Sequence, residues 1–172
     1  MAQTSTAASS TTTLQFIAEF RNLHDKLRNG TLSLLEQARY TDQRQQFVRM
    51  MLISQIGVTG QTLRSSLRMS KMLKVEVRPE SEPVERLTTL EIATKGFATL
   101  MPKALPLGTV CGFTLYLPKP ASPITGRAVV ASTRPQGGVA RTSFLFDNLL
   151  PQAAEQLDIA LIDAILERFT RS

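Results

Sequence analysis

Residues 74–78 read KVEVR, with Val75 and Val77 alternating with Lys74, Glu76 and Arg78. That two-residue period is what a half-buried strand requires. It marks the point where the chain stops repeating like a helix. Downstream, five further stretches read as strands: 87–93, 97–101, 109–117, 124–132 and 139–146. Turn-forming residues separate them, from Pro79 to Pro83, at Thr94-Lys95-Gly96, from Pro102 to Gly108, from Pro118 to Pro123 and from Pro135 to Gly138. Six short strands with no helices between them argue for an antiparallel barrel or sandwich and against a parallel sheet.

Upstream of this block, residues 57–67 contain Gly57 and Gly60, several hydroxyl residues and few large apolar groups, which reads as a linker. Before it the period is helical. Phe16, Phe20, Leu23 and Leu27 fall at i, i+4, i+7 and i+11, with Thr13 as the expected N-cap and Asn29-Gly30 as the expected stop. A second helix is expected from Ser33, because Ser33-Leu34-Leu35-Glu36 matches a capping box. Tyr40, Phe47 and Met51 form its apolar line as far as about Gln55. The first thirteen residues, MAQTSTAASSTTT, are nearly all small and polar and are expected to be disordered. The chain closes with a helix expected from Pro151, a residue suited to a first turn, to Phe169. Its apolar residues cover more than one stripe and so call for two burial surfaces, the second against the N-terminal hairpin or a second copy of the chain. The division expected is a tail over 1–13, a helical extension over 14–56, and a barrel with entry linker and terminal helix over 57–172.

Composition narrows the chemistry. Cys111 is the only cysteine and His24 the only histidine, so the sequence offers neither an internal disulfide nor a zinc site of the usual spacing. Cys111 lies in the apolar run VCGFTLYL and reads as a buried small hydrophobe; His24, among charges on a helix, reads as a solvated surface residue. No Ser/His/Asp set, Cys/His set or phosphate-cradling glycine loop is present, and Asp158 and Asp163 lie on the terminal helix without a recognisable cleft. No catalytic residue, metal or cofactor is expected. No stretch is long and apolar enough for a membrane span or a signal-peptide core, so a cytoplasmic protein is expected. The net charge of +6 is uneven: residues 1–78 hold eleven Lys/Arg against five Asp/Glu, and residues 79–172 hold nine of each. The excess gathers between Arg44 and Arg78 and invites an anionic partner.

The order helix, Arg-xxx-Arg, six strands, terminal helix resembles the PilZ family. Three stretches carry the resemblance, which covers about residues 64–170. Arg64-Ser65-Ser66-Leu67-Arg68 fits the family's Arg-xxx-Arg on the way into the first strand. Glu91-Ile92-Ala93-Thr94-Lys95-Gly96 stands where the family has Asp/Asn-x-Ser-x-x-Gly. The run from Phe97 through Leu107-Gly108-Thr109 to Ile124–Val130 and Arg141–Phe146 follows the later strands. The resemblance implies a six-stranded antiparallel barrel and a non-enzymatic bacterial signalling protein. Its ligand would be cyclic di-GMP, held by Arg64, Arg68, Glu91, Ala93 and Gly96 and relayed to a protein partner. A homodimer through the C-terminal helix is a further expectation.

Guanidinium suits such a ligand because its donor fork matches phosphate oxygens and the acceptor edge of guanine, while its flat face stacks on a base. The second motif departs from the family: Glu91 is one methylene longer than Asp, and Ala93 has no hydroxyl. Gly96 remains, which fits a turn needing a positive φ. A carboxylate at 91 also has Arg86 and Lys95 in reach as surface partners, and Ala93 also fits an inward core position. Arg127 and Arg141 are expected as exposed partners of strand acids, with a place beside the ligand groove as the alternative. Two other functions stay open. One is a degenerate barrel that binds no nucleotide and works through protein contacts. The other is a nucleic-acid-binding protein using the basic stretch 44–78, against which the lack of aromatics beyond Phe47 argues.

Overall fold

The computed structural model describes residues 5–54 and 66–170 and divides into two compact units, 1–65 and 66–172. In the first unit, α1 (Ser5–Arg28) and α2 (Leu34–Ser54) pack together. The chain turns between them as the local sequence directs. Gly30 adopts φ +66°, Thr31 N–H donates to the Lys26 carbonyl and Gly30 N–H to that of Leu27, a pairing that satisfies carbonyls the ended helix would leave open. Ser33 and Glu36 then form the reciprocal box: Glu36 N–H donates to Ser33 Oγ at 3.3 Å and Ser33 N–H to Glu36 Oε2 at 3.0 Å. Lys26 adds an ion pair to the same carboxylate. These contacts hold the Glu36 carboxyl at about 2, below its usual range, with the Lys26 hydrogen bond as the largest cause.

Three expectations for this unit need correction. α1 opens at Ser5, so residues 5–13 of the expected disordered tail are helical and Thr13 lies inside the helix instead of capping it. Once a helix is nucleated, each further residue adds a bond for one pair of dihedrals, and Ala7 and Ala8 are good formers. His24 is buried, not solvated: it lies 1% exposed in a cluster with Phe20, Tyr40 and Phe47. Its Nδ1 lies 2.8 Å from the Tyr40 hydroxyl. Burial above all, with help from the nearby Arg28 and Arg44 charges, lowers its pKa to about 4.

The second unit is a closed antiparallel barrel. Its strands are β1 (Arg68–Met69), β2 (Lys74–Pro79), β3 (Glu85–Ala93), β4 (Gly96–Met101), β5 (Val110–Leu115), β6 (Ile124–Gln136) and β7 (Val139–Asp147), followed by α3 (Pro151–Arg168). The order β3-β2-β5-β6-β7-β4 closes on itself through the β3–β4 pairing, and β1 is an extra short strand on β3. All six expected strands are present. β6 runs past its expected end at Ser132, and Pro135, expected in the turn, pairs with Ala140. Beyond Val130, which still exchanges backbone bonds with Gly108 and Thr109, the β6 ladder continues only to β7, and a residue without an N–H is tolerated there. The turn itself is only Gly137-Gly138, both at positive φ, as a two-residue hairpin requires.

Alternate residues fill the interior. Phe97, Phe113 and Phe144 are buried with neighbouring ring centroids 5.0–5.8 Å apart, among Val75, Val77, Cys111 and Leu115. Cys111 is buried as expected, and burial pushes its thiol pKa up, away from thiolate chemistry. α3 begins at Pro151 and buries Leu157, Leu161, Ile162, Ala164, Ile165 and Leu166, an arc broader than a single stripe. None of the described helices is long and apolar enough to cross a membrane.

Candidate functional site

Two bulges decide which side chains reach the outer wall. Between Thr89 and Glu91 the β3–β4 register shifts by the one extra residue, Leu90. Thr89 and Ile92 therefore both face inward although three apart, while Glu91 and Ala93 share the outer face. β1 pairs Arg68 with Ala93, placing the arginine on that face as well. Ala93 also pairs with Gly96, and Gly96 with Leu145. One row thus runs Arg68, Ala93, Gly96, Leu145.

Arg68 and Glu91 meet directly. Arg68 Nη1 donates to Glu91 Oε1 at 3.2 Å, and the other carboxylate oxygen lies 3.6 Å from Nη2 of Arg141, which β7 supplies. Of the two surface partners open to Glu91, Arg86 or Lys95, Arg86 pairs instead with Glu76. The Arg68 and Arg141 side chains are 48% and 41% exposed, so both reach solvent.

The segment bearing Arg68 is tied down by Thr89, a buried threonine on β3. Its Oγ1 donates to the Lys71 carbonyl at 2.6 Å and accepts from Leu73 N–H at 2.9 Å, while its own N–H donates to the Leu73 carbonyl. Leu67, expected to close the linker, is buried, and its carbonyl accepts from Thr94 N–H. Arg68 is therefore held between two fixed points.

Gly96 is required for a reason other than the expected one. It is not among the glycines at positive φ; instead, a Cβ there would come within 1.9 Å of the Phe144 carbonyl oxygen. β7 backbone lies too close for any side chain. Ala93 is half-buried on the outer row and not in the core.

The structure therefore brings together Arg68, Glu91, Ala93, Gly96 and Arg141. Arg64 lies outside the described residues. Arg127 is not part of the group: it pairs with Asp147, six positions along β7 from Arg141, or about 20 Å at strand rise. Within the basic stretch 44–78, Arg68, Lys71 and Arg78 each have an ion-pair partner, in Glu91, Glu167 and Glu76. A cleft of about 290 Å³ opens beside Met69 and Lys71 toward Ala164 and Glu167, and none of the motif side chains lines it.

Sequence reading missed Arg134, Ser132 and Ser143. β6 and β7 pair Arg134 with Arg141 and Ser132 with Ser143, all on the outer face. A two-residue turn at Gly137-Gly138 fixes that register, so the juxtaposition was within reach of the sequence.

No protein-family model matches the sequence, and no curated protein does. Solved structures do. The PilZ domain of YcgR from Escherichia coli, with c-di-GMP, superposes at a TM-score of 0.52 over 64% of this chain and 95% of that one, at 19% identity. The barrel is PilZ-like in fold. The inhibitor of motility MotI/DgrA from Bacillus subtilis gives a TM-score of 0.55 at 18% identity over 63% of this chain. The K. pneumonia MrkH–c-di-GMP complex gives 0.56 at 15% identity, over 65% of this chain and 57% of that one. This chain spans about half the length, 54%, of the Bacillus protein. Of the expected motif residues, Arg68, Glu91, Ala93 and Gly96 lie on one outer wall, with Glu91 and Ala93 as the departures.

Proposed function

We propose that this chain is a non-enzymatic, cytoplasmic bacterial signalling adaptor whose PilZ-like barrel binds cyclic di-GMP and relays it to a protein partner. The observation that carries the reading is the placement of Arg68 on the outer wall beside the second motif, half exposed and joined by Arg141. The YcgR and MrkH structures of the same fold contain c-di-GMP. Arg68, with Arg64 four residues before it, grips the phosphates and the guanine edge, and Glu91 accepts from a guanine N–H. The Arg68–Glu91 pair does not prevent this. Partly exposed ion pairs contribute about 0–1 kcal/mol, so an incoming phosphate exchanges with the carboxylate at small cost. Ligand contact through Arg64 and Arg68 would couple the linker to the barrel and alter how the helical unit is offered to a partner. Such coupling requires that the ligand favour one arrangement over another.

A second reading has its own observation. Glu91 already neutralises part of the arginine charge, and Ala93 offers no hydroxyl, which together favour a barrel that acts through protein contacts without nucleotide. Calorimetry at two salt concentrations separates the readings. Saturable cyclic di-GMP binding with little salt response supports the receptor. No heat at high-micromolar ligand, with a stable complex in light scattering, supports the adaptor alone. A steep salt-dependent affinity for generic duplex DNA would point to nucleic acid instead.

A further inference from the structure

Arg134 and Arg141 stand directly opposite each other across β6 and β7. Cross-strand partners bring their Cβ atoms to about 5 Å, and like charges so placed oppose folding. The arrangement has no internal relief on the β6 side: among the described residues no carboxylate pairs with Arg134, and Arg141 reaches only Glu91, at 3.6 Å. Two positions along the same strands, Ser132 and Ser143 form the next outer pair. Neither hydroxyl has a hydrogen-bond partner among the described residues. The bulge between Val130 and Ser132 sets this face, because it lets Val130 point inward and still turns Ser132 and Arg134 outward. Two forked cations and two hydroxyls on neighbouring strands are a donor set whose one acceptor among the described residues is Glu91, at Arg141.

We propose that Arg134, Arg141, Ser132 and Ser143 form a phosphate subsite on the outer face of the β6–β7 hairpin, separate from both sequence motifs. The subsite takes a phosphodiester of the nucleotide whose other end lies on Arg68, and in this form it rests on the receptor reading above. Arg141 is the link between the two: it shares the Glu91 carboxylate with Arg68 and stands opposite Arg134, so a ligand that displaces Glu91 meets Arg68 and Arg141 together, with Arg134 on the next strand. The anion supplies what the Arg134–Arg141 pair lacks, and the serine hydroxyls donate to its remaining oxygens.

The test uses the full chain and the variants Arg134→Gln, Ser143→Ala and Arg68→Gln. Arg134→Gln is expected to weaken cyclic di-GMP binding by about tenfold or more, as loss of a charge-assisted hydrogen bond implies, and Ser143→Ala by about threefold. Arg134→Gln is also expected to raise the melting temperature, since it removes the facing like charge. A residue with only a structural role would not combine higher stability with weaker binding. If Arg134→Gln and Ser143→Ala bind like the wild type while Arg68→Gln does not, the subsite is overturned and the receptor reading stands. If the wild type binds no cyclic di-GMP, the receptor reading fails, and the subsite is read with inorganic pyrophosphate by NMR. Shifts of the Ser132, Arg134 and Ser143 amides that vanish in Arg134→Gln uphold it as an anion site; no shift at those amides sinks it too.

Discussion

Arg68 on β1 and Glu91 on β3 are joined at 3.2 Å on the outer wall of the barrel, so the carboxylate that departs from the family pattern is also the counter-ion of the arginine that fits it. An anionic ligand must replace Glu91 at both Arg68 and Arg141. Glu91→Asn keeps an acceptor and removes the competing charge. The expected outcome is cyclic di-GMP affinity higher by up to about fivefold, in line with an exposed ion pair of about 1 kcal/mol. Calorimetry on the single variant checks it; weaker binding would show that guanine needs the charge of the carboxylate and not only an acceptor.

Gly96 tests steric contact against backbone conformation. A Cβ at 1.9 Å from the Phe144 carbonyl oxygen cannot be relieved by a side-chain rotation, because the obstacle is backbone. Gly96→Ala is expected to cost about 3 kcal/mol or more, at the upper end of overpacking effects, in urea unfolding. Gly96→Asn should be at least as damaging. Asparagine tolerates positive φ, so recovery with Asn would mean that backbone conformation, not contact, is what the position requires.

Thr89 fixes the segment after Arg68 through Lys71 and Leu73. Thr89→Val preserves shape and leaves the Leu73 N–H without its acceptor. A loss of about 1–3 kcal/mol in stability is expected, together with faster hydrogen exchange at Leu73. Unchanged exchange there would show that the latch does not hold the segment.

His24 makes the helical unit sensitive to acid. Its pKa is about 4 when folded against an ordinary 6.5, so the unfolded chain takes up the proton first as pH falls. The stabilisation is complete above about 6.5 and is lost as pH falls through the window down to about 4, by about 3 kcal/mol in all. Below that window this group contributes no further change. Urea unfolding of the wild type and His24→Gln at pH 7 and pH 4.5 reads the effect, and the variant is expected to show the smaller difference between the two.

Local signals in the sequence were read correctly where the structure depends on local chemistry. The Ser33–Glu36 box, the Gly30 stop, Pro151 at the start of α3 and the alternation of the six strands all follow from neighbours within a few residues. What escaped depends on partners far along the chain. His24 is buried against Tyr40 from the other helix, in a cluster that Phe47 joins through Phe20, and Gly96 is constrained by backbone 48 positions away. Glu91 meets Arg141 only because β4 and β7 close the barrel. β1 has two residues, too few to show a period. The bulges at Leu90 and Ala131 break the alternation at the very places where outward side chains are chosen.

The central claim is that the arginine segment holds the ligand. Calorimetric titration of cyclic di-GMP into the full chain and into an Arg64→Ala, Arg68→Ala double variant tests it most directly. Saturable binding to the wild type and none to the double variant at high-micromolar ligand is the predicted result. Equal binding to both proteins would contradict it.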